Sequence, residues 1–432
     1  MADYRPMRQL PPLAGYQPGD FLVVCGELFQ RGYVNGVIEA AQKLGMKVVY
    51  ATVGRRTEEG ALRPLTTEEM ASAGQPLINV PLEAGFDLEP SATGPAPVEQ
   101  LADYKLQDWQ QVQLNWQQIE ESYQYGSERF KLSLQTYLTE LDSIIEEGRN
   151  VVIVHTMAGG IPRSKLIMAL MNRVFKGRGA RALGSAELWN SPIGRLCQKS
   201  FKAVTAETFG HLIDESQALR ERIEKSGGRV RYLAYGYHGC EALIGDEYRW
   251  MTYTPYLQGE AKIALENIAK AAVQKNIRAT VYNCPEILTN SSSIFQGVEL
   301  CLYALLKALK KEQPDHPVTE KAWAAATALL KPEHSVEEIL KVVDDYACDP
   351  RIQQVCQFAQ WPQHSHPQQL EFMLDQSQRL QSLHRDGSQL ATVHLSELIF
   401  ASTGRLMLND SWQSTQPVWW LNHDIIAKEL TQ

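Results

Sequence analysis

The 432-residue chain is long enough for one large α/β domain with insertions or for two domains, and 44% hydrophobic with 21% charged residues is an ordinary globular balance. A net charge of −8 and a pI near 5.8 argue against nucleic acid or an acidic membrane surface as partner. No apolar run approaches the roughly 18 residues of a membrane span. The N-terminal residues Met1 to Pro6 carry neither a signal-peptide core nor a basic transit pattern. The seven cysteines contain no Cys-x-x-Cys pair, so a reducing, cytoplasmic setting is expected, with no metal site and no disulfide framework.

In chain order, the apolar run at residues 20–25 predicts a first buried strand, and residues 36–44 a helix stopped at Gly45. Strands two and three are expected at 47–52 and 77–82. A long insertion at about 57–150 contains a Gln/Trp/Tyr-rich helical stretch, 107–141, and strand four follows at 150–155. After a second insertion at about 183–200 come strand five at 229–235, a helix at 259–274 and strand six at 277–282. Pro314 and Pro317 then break the pattern. Helices at 320–330 and 336–347 follow, and the stretch from 360 to 432 is weakly patterned. Continuous apolar strands alternating with helices predict a Rossmann-type, doubly wound α/β fold with a mostly parallel sheet. Residues 1–312 would form the nucleotide-binding and catalytic domain, and 313–432 a helical C-terminal extension packed on it.

Strand one runs into Gly26-Glu27-Leu28-Phe29-Gln30-Arg31-Gly32 and then into a helix. Glycines there let backbone approach a pyrophosphate, and the helix N-terminus offers unpaired N–H groups and the positive end of its dipole. The spacing is not G-x-G-x-x-G; its position after the first strand is what points to a dinucleotide. Strand two is followed by Arg55-Arg56, with no carboxylate at its end. Because arginine suits a 2′-phosphate, NADPH is the expected cofactor, with NADH as the alternative. Further on, Tyr235-Gly236-Tyr237 ends strand five, and Tyr253 precedes Lys262 at the start of a helix. A lysine ammonium beside a phenol can hold ribose hydroxyls, and the phenol can donate to an oxygen that gains negative charge during hydride transfer.

These segments resemble the enoyl-acyl-carrier-protein reductases of the short-chain dehydrogenase/reductase superfamily. The resemblance is closest to the V-type. It is similar to the I-type and to the metagenome-derived enoyl reductase family FabMG. Tyr253-x8-Lys262, with Gly259-x-Ala261-Lys262, has the V-type spacing, and Tyr237-x-Gly239 looks like the second active-site tyrosine segment. Gly26-x5-Gly32-x3-Gly36 repeats the I-type spacing. His155-Thr156-Met157 resembles the segment after strand four, and Arg163 stands where the V-type has an arginine. Pro285-Glu286-Ile287-Leu288-Thr289 resembles the segment that closes over the nicotinamide.

The resemblance implies reduction of an enoyl thioester, carried on acyl carrier protein or CoA, with hydride passing from NAD(P)H to the β-carbon. Tyr253, Lys262 and Tyr237 would be catalytic. Gly26, Glu27, Phe29, Gly32, Arg55, Arg56, His155, Thr156, Met157, Lys262, Pro285, Ile287 and Thr289 would bind the cofactor. Tyr256 competes with Tyr253 as the acid because it lies nearer Lys262, and the stretch between Tyr237 and Tyr253 is longer than in those reductases. A carbonyl/hydroxyl oxidoreductase of the same superfamily and a Rossmann-fold nucleotide-binding protein without turnover are the alternatives. Carbonyl reductases of that superfamily usually separate tyrosine from lysine by three residues, so the spacing of eight favours the enoyl reading.

His155 reads as a packed strand-end residue or a cofactor contact, Cys284 as a small buried residue, and Trp419-Trp420 as tail packing. Arg173, Lys176, Arg178 and Arg181 form a basic run, solvated or facing an acidic carrier.

Overall fold

The computed structural model describes residues 4–252, 257–356 and 363–432. Its strands are β1 (Phe21–Glu27), β2 (Lys47–Thr52), β3 (Arg55–Arg56), β4 (Leu62–Arg63), β5 (Leu77–Pro81), β6 (Val151–His155), β7 (Val230–Gly236), β8 (Cys240–Ile244), β9 (Glu247–Met251), β10 (Ala279–Asn283) and β11 (Val418–Trp420). Seven of them form one sheet in the order β11-β10-β7-β6-β1-β2-β5, and every pairing is parallel. Taken along the chain this is the Rossmann strand order, extended by one strand. The main strands are buried on both faces and rich in Val, Ile, Leu and Tyr, as a parallel sheet covered on both sides requires.

Alternate side chains of each strand feed two cores. Leu22 and Val24 of β1 join Val152 and Val154 of β6 beneath helices Val34–Lys43 and Thr392–Ser411. Phe21, Val23 and Cys25 face the opposite way, against helices Trp116–Ile144, Thr208–Glu215 and Gly259–Gln274. The long helix is capped by Asn115, whose side chain accepts from the Gln118 N–H, and from residue 116 on it carries the Gln/Trp/Tyr-rich stretch expected to be helical, while Leu106–Gln111 forms a separate 3-10 helix.

Two features escape the sequence pattern. The extra residues after Tyr237 form an antiparallel hairpin, β8–β9, turned at Gly245-Asp246 with Gly245 at φ +58°. Trp419 and Trp420 belong to a seventh strand, β11, that pairs with β10 through Val281–Val418 and Asn283–Trp420.

Helix Val34–Lys43 is pinned by a backbone-to-backbone crossing with helix Thr392–Ser411. A Cβ on Gly36 would lie 1.7 Å from the Phe400 carbonyl oxygen, and one on Gly404 would lie 2.0 Å from the Gly36 carbonyl carbon. Gly36 is therefore a packing residue, and the Gly404 segment meets it across the core. Gly404→Ala is expected to destabilise the protein by about 2 kcal/mol or more through overpacking. Gly387→Ala, whose Cβ would meet nothing nearer than 3.4 Å, should stay within about 0.5 kcal/mol. Denaturant unfolding of the two variants measures this.

Candidate active site

The sequence changes face at the middle of the sheet. The connection from β1 to β2 lies on one face and the helices following β6 lie on the other, so a crevice opens beyond the carboxyl ends of β1 and β6. A cavity of about 520 Å³ occupies it. Glu27, Phe29, Gly32, Tyr33 and Val34 line it from the β1 side. His155, Thr156, Met157 and the segment to Ile161 line it beyond β6. Tyr235 and Tyr237 end β7 in the wall, Gln258 and Lys262 enter from helix Gly259–Gln274, and Glu286, Ile287, Thr289 and Phe295 close it from the loop after β10.

The β1 loop is held by the first turn of the helix that follows it. Asn35 Nδ2 donates to the Phe29 carbonyl at 3.1 Å and the Gly32 carbonyl at 3.0 Å. A Cβ on Gly32 would meet nothing within 4 Å, so its surface opens onto the cavity. Gly26 plays a different part. At φ +132° it presses on the neighbouring strand, where a Cβ would lie 2.3 Å from Thr156 Oγ1. The helix N-terminus beside an open glycine-bearing loop suits a pyrophosphate.

Glu27 and the arginine pair form one electrostatic unit. The Glu27 carboxylate reaches the end of β2, accepting from the Val53 N–H at 3.2 Å and from Thr52 Oγ1 at 3.3 Å. Arg55 grips the same carboxylate with two donors, at 2.7 and 3.0 Å. Arg56 turns away and spans Glu83 at 2.8 Å and Glu89 at 2.6 Å. Both arginines lie in a small antiparallel ladder, β3–β4, and neither lines the cavity. The sequence shows no acidic residue at the end of strand two; the fold delivers one there from strand one.

Lys262 is buried and donates one N–H to the Tyr235 carbonyl at 2.7 Å. Burial lowers its pKa to about 8. His155 Nε2 lies 2.8 Å from Thr208 Oγ1, and burial together with the nearby Lys262 charge lowers its pKa to about 3, so the ring is neutral. It is both a packed strand-end residue and part of the cavity wall. The Tyr237 phenol oxygen lies 2.9 Å from Glu286 Oε1 and 3.2 Å from Thr252 Oγ1. Tyr33 stacks on Tyr235 with ring centroids 5.4 Å apart and donates to the Pro285 carbonyl, which ties the β1 loop to the β10 loop.

The crevice thus gathers Glu27, Phe29, Gly32, His155, Thr156, Met157, Tyr237, Lys262, Ile287 and Thr289. Pro285 acts through its carbonyl, Gly26 through strand packing, and Arg55 and Arg56 stand apart. Tyr253 and Tyr256 lie outside the described residues. Tyr33, Tyr235, Gln258 and Glu286 were not anticipated as site residues, although Glu286 sits inside a segment singled out by resemblance. Arg163 is bound to Asp87 at 2.7 Å and to Glu83, and so ties the first insertion to the segment after β6.

The chain matches the family model of the enoyl-acyl carrier protein reductase FabMG over residues 3–430. The chain belongs to the FabMG family of enoyl-acyl carrier protein reductases. An apo FabMG structure, described as a novel type of enoyl-acyl carrier protein reductase, is similar to it at 47% identity and a TM-score of 0.95, covering 100% of this chain and 98% of that one. An NADH-bound FabMG structure is 41% identical with a TM-score of 0.81, covering 100% of this chain and 99% of that one. No curated protein matches the chain. The enzyme class expected from the sequence, an NAD(P)H-dependent enoyl reductase on a Rossmann-type sheet, is the class of this FabMG reductase. Among the described residues no helix is long and apolar enough to cross a membrane.

The buried ammonium carries a stability consequence. Lys262 titrates near 8 in the folded chain against an ordinary value of 10.5, so between these values the unfolded chain binds more protons. The burden on folding is full below pH 8 and is relieved as pH rises towards 10.5. Lys262→Met is expected to gain about 1–3 kcal/mol of stability at pH 7, with the gain shrinking above pH 8, while turnover and cofactor affinity fall. Chemical denaturation across pH, set beside NADH titration, checks the pair of effects.

Proposed function

We propose that this enzyme uses NADH to reduce a 2,3-unsaturated acyl thioester presented by acyl carrier protein, with the reaction seated in the cavity beyond β1, β6, β7 and β10. The observation that carries this reading is the convergence of Lys262, Tyr237 and the β1 loop on one crevice, in a chain of this family. The residues present fit a dinucleotide: an open glycine loop at a helix N-terminus, a carboxylate at the end of β2, and a buried ammonium deeper in. NADH, when bound, supplies a hydride.

Glu27 stands where a carboxylate would accept from the adenosine ribose hydroxyls. Lys262 has three donors and gives one to Tyr235, leaving an ammonium at the cavity wall to hold the nicotinamide ribose. The neutral His155 and the Met157 side chain shape the wall beside it. As hydride reaches the β-carbon, negative charge grows on the thioester oxygen. Tyr253 and Tyr237 would donate to that oxygen, which favours the transition state over the ground state.

The preference for NADH over NADPH follows from charge. Arg55 is committed to Glu27 and Arg56 to Glu83 and Glu89, so a 2′-phosphate at the end of β2 would approach the Glu27 carboxylate with both of these guanidinium groups already engaged. The NADH in the 41%-identical relative supports the same choice. Titration should find NADH bound at least about tenfold more tightly than NADPH, a difference of about 1.4 kcal/mol. Equal or reversed affinity would return the arginines to a phosphate-binding role.

Oxidation of NADH in the presence of a crotonyl thioester on acyl carrier protein tests the reaction. Turnover of ketones but not of the thioester would favour a carbonyl reductase, and cofactor binding without any turnover a non-catalytic protein. Tyr253→Phe should lower kcat on the order of 10²-fold with NADH affinity retained. Tyr256→Phe should be mild, and Tyr237→Phe should also lower kcat. If Tyr256→Phe abolished turnover and Tyr253→Phe did not, Tyr256 would be the acid.

A further inference from the structure

Glu286 lies three residues past β10 and lines the cavity with only 3% of its surface exposed. A carboxyl group so buried requires an explanation, because an ionised one is costly away from water unless a cation meets it. Among the described residues, the groups meeting this one are not cationic. Oε1 faces the Tyr237 phenol at 2.9 Å and Oε2 faces the Cys240 thiol at 3.3 Å, and the Cys301 thiol also bonds to the carboxyl. Burial raises the pKa of Glu286 and holds both cysteines well above the ordinary thiol value, so these neighbours are neutral. Lys262 lines the same cavity from helix Gly259–Gln274, with its ammonium donating to the Tyr235 carbonyl.

The protonation state of this acid decides which way the neighbouring phenol can point its proton. An ionised carboxylate only accepts, so Tyr237 must spend its O–H on Glu286. A neutral carboxylic acid has its own O–H. It can donate to the Tyr237 oxygen, which frees the phenol proton for Thr252 Oγ1, 3.2 Å away, or for a substrate oxygen in the cavity.

We propose that Glu286 is a positioning residue that works as a neutral acid, donating to the Tyr237 oxygen so that the Tyr237 O–H faces the thioester oxygen of the substrate. The proposal rests on the oxygen-binding role given above to Tyr237. The proton on Glu286 is not consumed. It stays on the carboxyl while the phenol hydrogen bond strengthens with the charge on the substrate oxygen, and no other group is oxidised or reduced.

Three variants and one combination test it, with crotonyl-CoA and NADH as the probes at pH 7. Glu286→Met keeps the volume but has no donor, and should lower kcat on the order of 10-fold or more while the NADH dissociation constant stays within about twofold. Glu286→Gln can donate through its amide N–H and should recover kcat to within about threefold of the parent. Tyr237→Phe should lower kcat, and adding Glu286→Met to it should bring no more than about a further twofold loss, because the pair acts as a unit. NADH binding by each variant establishes that it is folded. A Gln variant as slow as the Met variant would overturn the neutral-acid role, and so would a full additional loss in the Tyr237→Phe background, which marks a merely structural carboxyl. If Tyr237→Phe turned over at the parental rate, the role of Tyr237 would itself be refuted, and that of Glu286 with it.

Discussion

Everything at the site follows from one topological constraint: β1 and β6 are neighbours whose following helices leave to opposite faces of the sheet. No helix can close the gap between their ends, so loops must do so. The strands press together at Gly26 and Thr156, where no side chain fits on the glycine. Just beyond that point the chain diverges, and Phe29, Gly32, His155 and Met157 line the space it leaves. The depth of the crevice then decides its chemistry. Lys262 and Glu286 sit where water is scarce, so a cation is pushed towards neutrality and an acid towards keeping its proton.

The main strands and the Gly259–Gln274 helix were legible because their signals are local. Runs such as Val151 to Val154 can only be buried strand or buried helix, and their length and β-branching decide between the two. The hairpin β8–β9 carries a turn signal at Gly245-Asp246, but Cys240–Ile244 is buried nearly throughout and lacks the alternation of a half-exposed strand. β11 could not be read in that way. It is three residues long, and its pairing partner lies over a hundred positions earlier. Helix Thr392–Ser411 is buried on much of its circumference, at Leu395, Ile399, Ser402, Gly404 and Leu408 among others, which blurs the usual amphipathic stripe.

At the site, the same division between local and distant information holds. Tyr237, Lys262 and the glycines announce themselves by residue type and spacing. Charge pairing does not, since Arg55 and Arg56 look alike in sequence yet are claimed by three carboxylates from two different segments. Arg56 lies inside a cluster in which Glu89 also meets Arg129 at 3.1 Å and Glu83 also meets Arg163. Partly buried charges of this kind hold one another in place, and removing one member leaves its partner uncompensated. Through Arg163 the cluster anchors the segment after β6, so the first insertion braces the cavity wall from outside.

The edge strand β11 has a consequence for how the molecule is made. It docks on β10, and the amino-terminal segment then reaches it, with the Met7 N–H donating to the Trp420 carbonyl. The sheet is therefore incomplete until residues 418–420 have been made and have docked. Until then β10 presents an open edge. Contacts this distant in sequence form late, after the loop-closure entropy of the intervening chain has been met. Residues 5–7 and 418–420 act as a clasp over the β10 edge, and a contact this distant in sequence is the one that seals the sheet.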